Sequence, residues 1–113
     1  MNSEQLNTLV VAALEDLKGQ DIVSLDIAGL TTIADRMVVV TGTSNRHVKS
    51  LADEVLKRCK EAGAAVRGME GQEQGEWVLL DLGDIIVHCM QAATRKLYDL
   101  ESLWKMAPGD LRA

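Results

Sequence analysis

Asp81 and Asp84 flank a Leu82-Gly83 pair between two apolar runs, and they are the residues most suggestive of chemistry. Gly83 adopts positive φ without strain, so the pattern predicts a two-residue hairpin loop with Asp81 paired to Asp84. Two adjacent carboxylates are the minimum for Mg²⁺-assisted phosphoryl transfer, and like charges directly opposite each other are destabilising without a cation. A small nucleotide-processing enzyme using both aspartates and a divalent metal is therefore the alternative function. Hairpin carboxylates are more often simply solvated, so we favour a protein without catalytic residues, metal or cofactor.

Histidines and a glycine-containing turn offer weaker chemical signals. His47 and His88 have no Ser, Cys or Asp at a spacing that would make either a general base, and both are expected to be structural or interfacial. The Gly42-Thr43-Ser44 turn precedes a predicted helix, whose free amides could bind an anion. No Walker or dinucleotide-binding pattern accompanies this turn, so helix capping by Ser44 is the favoured interpretation.

The predicted hairpin separates its side chains onto two faces. Alternation places Trp77 opposite His88 and Leu79 opposite Ile86. One face is wholly apolar and is predicted to be core: Val78, Leu80, Ile85, Val87 and Cys89. The other, which we call the mixed face, carries Trp77, Leu79, Asp81, Asp84, Ile86 and His88. Leu82 is expected to project from the tip of the turn, so the mixed face and Leu82 together predict a docking surface.

Charge is concentrated around this hairpin. Residues 68–94 contain five acidic residues and no Lys or Arg, whereas the rest of the chain has 12 of each sign, so the net charge of −5 arises here. An acidic surface beside an aromatic side chain suits a basic protein partner. The alternative is an acidic loop that is merely solvated beside a core Trp. The acidic balance also argues against a large nucleic-acid contact, which requires clustered Lys and Arg.

Apolar periodicity predicts the elements that position the hairpin. The segments are a helix over 6–17 capped by Ser3 and ended by Gly19, strands at 21–27 and 35–41, a helix from Ser44 to Gly63, a strand at 64–67, a loop at 68–75, the hairpin, and a helix at 91–104. Strand, helix and strand over 35–67 predict a βαβ unit with parallel pairing. The fold class is therefore α/β, with a single mixed five-stranded sheet flanked by helices.

Length and composition limit the class of protein. The 113 residues suit one domain, which we place at 1–105, followed by a short tail at 106–113 that holds the only proline. No apolar run is long enough to span a membrane, and Met1–Glu4 lacks the basic region of a signal peptide. Cys59 and Cys89 both fall on apolar faces, as expected of buried thiols in a reducing cytoplasm.

A combination of motifs resembles the Iojap-related ribosomal silencing factors (RsfS type). The residues that carry the resemblance are Ala34-Asp35, Thr41–Val48, Glu70-Gly71, Gly75–His88, Arg95, Tyr98, Leu100-Glu101 and Leu103-Trp104. The match runs from about Leu6 to Trp104. Two positions depart from the family pattern: Arg36-Met37 replaces the usual Tyr-Phe, and Cys89-Met90 replaces a bulkier apolar pair ending in Phe.

The resemblance implies a nucleotidyltransferase-like topology without the catalytic carboxylates of those enzymes. It implies a cytoplasmic factor that binds the large ribosomal subunit through its fourteenth protein, blocks joining of the small subunit and represses translation when nutrients are short. It also implies a homodimer when free and minor or no direct contact with rRNA. On this reading the predicted partner-binding residues are Trp77, Asp81, Leu82, Asp84, His88, Met90 and Tyr98.

Overall fold

Residues 1–105 are described by a computed structural model, and the predicted tail at 106–113 lies outside the described residues. The elements are α1 (Ser3–Asp16), β1 (Gln20–Asp26), β2 (Arg36–Gly42), α2 (Asn45–Glu61), β3 (Gly68–Glu70), β4 (Trp77–Asp81), β5 (Ile85–Gln91), α3 (Ala92–Tyr98) and α4 (Leu100–Lys105). Within this part of the chain, no helix is long and apolar enough to cross a bilayer.

The five strands form one sheet in the order β1-β2-β5-β4-β3. β2 and β5 are parallel, with Val38 opposite Val87, and the other three neighbouring pairs are antiparallel. The predicted mixed five-stranded sheet flanked by helices is confirmed.

The predicted βαβ unit is wrong in its pairing. Residues 64–67 do not form a strand and lead instead to β3. β3 does not lie beside β2, as predicted, but pairs antiparallel with β4. Arg67 N donates to Asp81 O at 2.7 Å, which begins this edge of the sheet. β2 already pairs with β1 on one side and β5 on the other. The segment after α2 therefore reaches the free side of β4, where β3 forms the edge strand of the sheet.

The main core lies between one face of the sheet and helices α1 and α2. Helix residues such as Val10 and Leu51 contact sheet residues such as Val38 and Leu80, and all are fully buried. A second, smaller cluster on the opposite face includes Met37, Val39 and Met90 together with Ile27 from the loop after β1. β2 therefore has buried side chains on both faces, which explains its continuous apolar centre.

Caps define the ends of the two long helices. Asn2, and not the predicted Ser3, is the N-cap of α1, because its Oδ1 accepts from Gln5 N at 2.8 Å while Gln5 Oε1 accepts from Asn2 N at 3.0 Å. The prediction of Ser44 as the N-cap of α2 is confirmed by a 3.0 Å bond from His47 N.

The predicted C-terminal helix is divided in two at Asp99, which has a φ of 44°. Arg95 holds both halves against the sheet. Its Nη1 donates to Asp21 O at 2.7 Å and to Thr41 Oγ1 at 2.9 Å, while its Nε donates to Glu101 Oε1 at 2.7 Å. This arrangement fixes Tyr98, the last residue of α3, beside the hairpin.

Candidate docking surface

The hairpin has a register shifted by two residues from the predicted one. Trp77 lies opposite Met90, Leu79 opposite His88 and Asp81 opposite Ile86. The turn is centred on Gly83-Asp84, with Leu82 N donating to Ile85 O at 2.9 Å and Gly83 at a φ of 83°. Because the shift is even, each side chain stays on its predicted face. The prediction of an apolar core face is confirmed: all five of its residues are fully buried.

Leu82 is not at the tip of the turn, so the prediction of a projecting side chain is wrong. It is only 5% exposed and belongs to the main core. The physical reason is that Gly83, placed first in the turn, takes the positive φ and leaves Leu82 as the last core-facing residue of the hairpin. Leu82 therefore lies in the core on the face of the hairpin that packs against the helices, and it offers no contact area of its own.

Asp81 and Asp84 are not opposite each other, and the predicted pairing is wrong. Asp81 Oδ1 accepts a 2.9 Å hydrogen bond from Gly83 N, which stabilises the turn. Asp84 is exposed in the turn. Among residues 1–105, no three His, Cys, Asp or Glu side chains are grouped as ligands for a metal ion. The Asp81 carboxylate thus has a conformational role at the turn, and the Asp84 carboxylate is exposed beside it.

Three of the predicted site residues come together at the other end of the hairpin, and we call Trp77, His88 and Tyr98 the aromatic cluster. Trp77 Nε1 donates to His88 Nδ1 at 3.0 Å, and the centroids of these rings are 5.8 Å apart. The Tyr98 ring lies 4.8 Å from that of Trp77 and is 56% exposed. Trp77 and Tyr98 present amphipathic ring surface to solvent at this end of the hairpin, and His88 lies buried beside them.

Met90 lies under the aromatic cluster and not on the surface. It is the cross-strand partner of Trp77, is fully buried and belongs to the second core cluster. Like Leu82, it has no surface to offer a partner. Its contribution is to support the indole ring of Trp77 from below.

Burial controls the protonation of His88. The side chain is 7% exposed, and desolvation lowers its pKa to about 4. Its Nδ1 accepts the indole proton of Trp77, so the neutral ring carries its own proton on Nε2. At neutral pH the imidazole is therefore uncharged and in a single tautomer.

The lowered pKa of His88 predicts that the protein loses stability in mild acid. The unfolded chain binds a proton at His88 with a pKa near 6.5, whereas the native ring stays neutral down to about 4. The free energy of unfolding should thus fall as the pH falls through this window, by about 3 kcal/mol in total. Urea titrations between pH 7 and pH 4 on the wild type and His88→Asn measure the difference. If the free energy of unfolding changed with pH equally in both proteins, the lowered pKa would not belong to His88.

Two cavities border the aromatic cluster. One, of about 200 Å³, is lined by apolar side chains and His88: Ile27, Thr31, Ile33, Met37, Ile86, His88, Leu100 and Leu103. The other, of about 230 Å³, is lined by Glu70, Gly71, Trp77 and Leu79. Sequence reasoning missed the first cavity because the loop over 27–34 shows no periodic pattern that would place it on the sheet. Ile86 lines the first cavity and Leu79 the second, and the alternation of the hairpin had already placed both on the mixed face.

Three acidic side chains lie on β3 and the loop after it, and one of them, Glu70, lines the second cavity. Glu70, Glu73 and Glu76, which we call the acidic rim, are all exposed on β3 and on the loop that leads into β4. Glu70 is the cross-strand partner of Leu79, so its carboxylate shares a face with the aromatic cluster. The surface thus combines an aromatic centre with the exposed Glu70 carboxylate at its edge.

The remaining chemical candidates have internal partners. His47 Nδ1 accepts from Thr43 N at 2.9 Å and its Nε2 donates to Leu17 O at 2.8 Å, so His47 links the start of α2 to the end of α1. The His47 amide donates to Ser44 Oγ, as capping predicted, and the Thr43 amide is occupied by the His47 ring. Cys59 and Cys89 are buried free thiols, and burial raises the pKa of Cys89 to about 12. Burial therefore keeps both thiols protonated and unreactive.

Comparisons with known proteins agree on one family. The model of a family described as "Ribosomal silencing factor during starvation" matches residues 1–112. A ribosomal silencing factor RsfS from Chromobacterium violaceum is 51% identical over 92% of this chain and 85% of its own length. The corresponding protein from Haemophilus influenzae is 44% identical over 84% and 93%. A crystal structure of a Chromobacterium violaceum protein, 50% identical, superposes with a TM-score of 0.92 over 95% of this chain and 89% of that one.

Proposed function

Because this chain belongs to the ribosomal silencing factor family, we propose that it represses translation by binding the large ribosomal subunit and blocking the joining of the small subunit. The fourteenth protein of the large subunit is the proposed contact, under nutrient limitation and in the cytoplasm. We assign no catalytic residue, cofactor or metal. Residues 1–105 are the proposed functional domain, and direct contact with rRNA is minor because the docking surface is acidic.

The aromatic cluster within an acidic border is the observation that supports a protein partner. Trp and Tyr are the side chains most often responsible for interface affinity. Trp77 and Tyr98 offer that area, and Trp77 Nε1 donates a hydrogen bond to His88. Carboxylates at Glu70, Asp81 and Asp84 complement a basic ribosomal protein. Met90 packs beneath Trp77, whereas Leu82 belongs to the core on the opposite face of the hairpin.

The test is direct. Purified protein is sedimented with separated ribosomal subunits, and a joining assay follows the formation of complete ribosomes as protein is added. The proposal predicts co-sedimentation with the large subunit alone and a dose-dependent loss of joining. Binding to the small subunit, or binding without any effect on joining, would contradict it.

The acidic rim should control the rate of association. Replacing Glu70, Glu73 and Glu76 by Gln removes the negative charges that steer a basic partner, so the association rate should fall about tenfold while dissociation changes little. Added salt should slow the wild type more than the variant. Surface-attached large subunits and stopped-flow binding provide the rates. An unchanged association rate at low salt would show that the rim faces away from the partner.

Self-association should use the same surface. Leu97, Tyr98 and Leu103 are exposed on α3 and α4, Tyr98 contacts Trp77, and soluble proteins usually cover exposed apolar side chains that lie close together. We therefore expect a homodimer that dissociates on dilution and is displaced by the large-subunit protein. Light scattering over a dilution series, with and without that protein, measures both steps. A dimer that persists intact within the complex would contradict the shared surface.

A further inference from the structure

The indole ring of Trp77 is held by a hydrogen bond to a buried group. Its Nε1 donates to His88 Nδ1 at 3.0 Å across adjacent strands, although Trp77 itself is only half-buried. A half-buried Trp on a sheet face ordinarily has access to more than one rotamer. Here the indole N–H meets an imidazole that is itself buried, because His88 lies on β5, the central strand of the sheet, between β4 and β2.

His88 Nδ1 acts only as a hydrogen-bond acceptor; it does not alternate between donating and accepting a proton. Its neighbours across the sheet are Leu79 on β4 and Val39 on β2, both apolar. Burial keeps the ring neutral, with its proton on Nε2, so Nδ1 accepts at all pH values above the low pKa of this group. The indole N–H of Trp77 therefore meets the same acceptor in the same place throughout the physiological range.

We infer that His88 is a positioning residue, whose Nδ1 holds the Trp77 ring in the orientation that contacts the partner, next to Tyr98. The inference rests on the proposed function, since it assumes that Trp77 docks. A side chain fixed before binding loses less conformational entropy on association, which strengthens binding without any new contact. His88 thus acts through Trp77 and needs no contact of its own with the ribosome.

The expected effect is moderate and specific. Loss of one neutral hydrogen bond should weaken binding to large ribosomal subunits by about three- to tenfold. The affinity should fall because fewer encounters with the large subunit lead to stable binding. A substitution of His88 should have no effect on affinity when residue 77 has no indole N–H to donate. These two features distinguish positioning from a general loss of stability.

The test uses three variants of the full chain. His88→Asn keeps an acceptor near the position of Nδ1, His88→Leu removes it, and Trp77→Phe removes the donor. Hydrogen exchange of the Trp77 indole is followed by NMR in the free protein, with Trp77→Phe identifying its signal against that of Trp104. Affinity for purified large subunits is measured for each single variant and for both His88 variants in the Trp77→Phe background. Circular dichroism melts give the stability of each protein.

We expect His88→Leu to exchange the indole proton about tenfold faster than the wild type and to bind more weakly, with His88→Asn restoring both properties. In the Trp77→Phe background the two His88 variants should bind equally. If His88→Leu loses indole protection but binds like the wild type, or if His88→Asn restores stability without restoring affinity, the inference is wrong while the proposed function stands. If the wild type does not bind large subunits, the proposed function fails, and the role of His88 in docking fails with it.

Discussion

Leu82→Asp should unfold the protein or leave it barely stable. Leu82 is 5% exposed and lies in the main core, so the change removes buried apolar area and places a carboxylate where it has no partner. Truncation of a core Leu alone costs about 2–5 kcal/mol, and burial of an unpaired charge adds to that. The sum is comparable to the whole stability of a small domain, about 5–15 kcal/mol.

Leu97→Asp is the matched control for this change. The same substitution is made on α3, where the side chain is 77% exposed, and the free energy of unfolding should change by about 0.5 kcal/mol or less. Urea unfolding followed by circular dichroism compares both variants with the wild type. A folded Leu82→Asp protein with near wild-type stability would mean that the side chain is at the surface after all. The expected unfolding also means that Leu82 cannot be used to test docking.

Trp77→Ala should release the large ribosomal subunit while the domain stays folded. Trp77 is the central ring of the aromatic cluster, in contact with both His88 and Tyr98. Truncation of such an anchor costs about 2 kcal/mol of binding free energy or more, which is about thirtyfold in affinity. Half-burial of the ring adds some loss of stability, so binding is measured at a temperature where circular dichroism shows the variant to be native.

Lys60→Ala provides the control for this measurement. Lys60 is exposed on α2, on the opposite side of the sheet from the aromatic cluster, and its removal should leave affinity unchanged. Co-sedimentation with large subunits and inhibition of subunit joining are measured for both variants. A folded Trp77→Ala protein that blocks joining at wild-type concentrations would show that the aromatic cluster is not the docking surface.

Local patterns predicted the elements of this fold better than their arrangement. The alternation in the hairpin identified both faces, because a residue's face depends only on its parity along the strand. It could not identify the register, since Leu82-Gly83 and Gly83-Asp84 are both acceptable two-residue turns. Burial of Leu82 decided between them, and burial depends on α1 and on the residues after α2, which are distant in sequence.

Local patterns also could not determine which strands, distant in sequence, are neighbours in the sheet. The sequence around 64–67 has the same apolar character whether it pairs with β2 or leads to the hairpin edge. The parallel partner of β2 is β5, some fifty residues later in the chain. The same limit applies to the candidate site: Trp77 and His88 were assigned to one face, but their hydrogen bond and the approach of Tyr98 depend on the true register and on the break at Asp99.

The central position of β5 has a consequence for synthesis of the protein. β5 joins β2 to β4 and is the last of the five strands to leave the ribosome. Until it emerges, β1 and β2 have no link to the hairpin edge, and Trp77 has neither His88 nor the support of Met90. Domains fold as units and parallel pairing between distant segments forms late, so a nascent chain has no assembled aromatic cluster until β5 has emerged. On the proposed function, the protein would remain inactive towards the ribosome that is making it for most of its own translation.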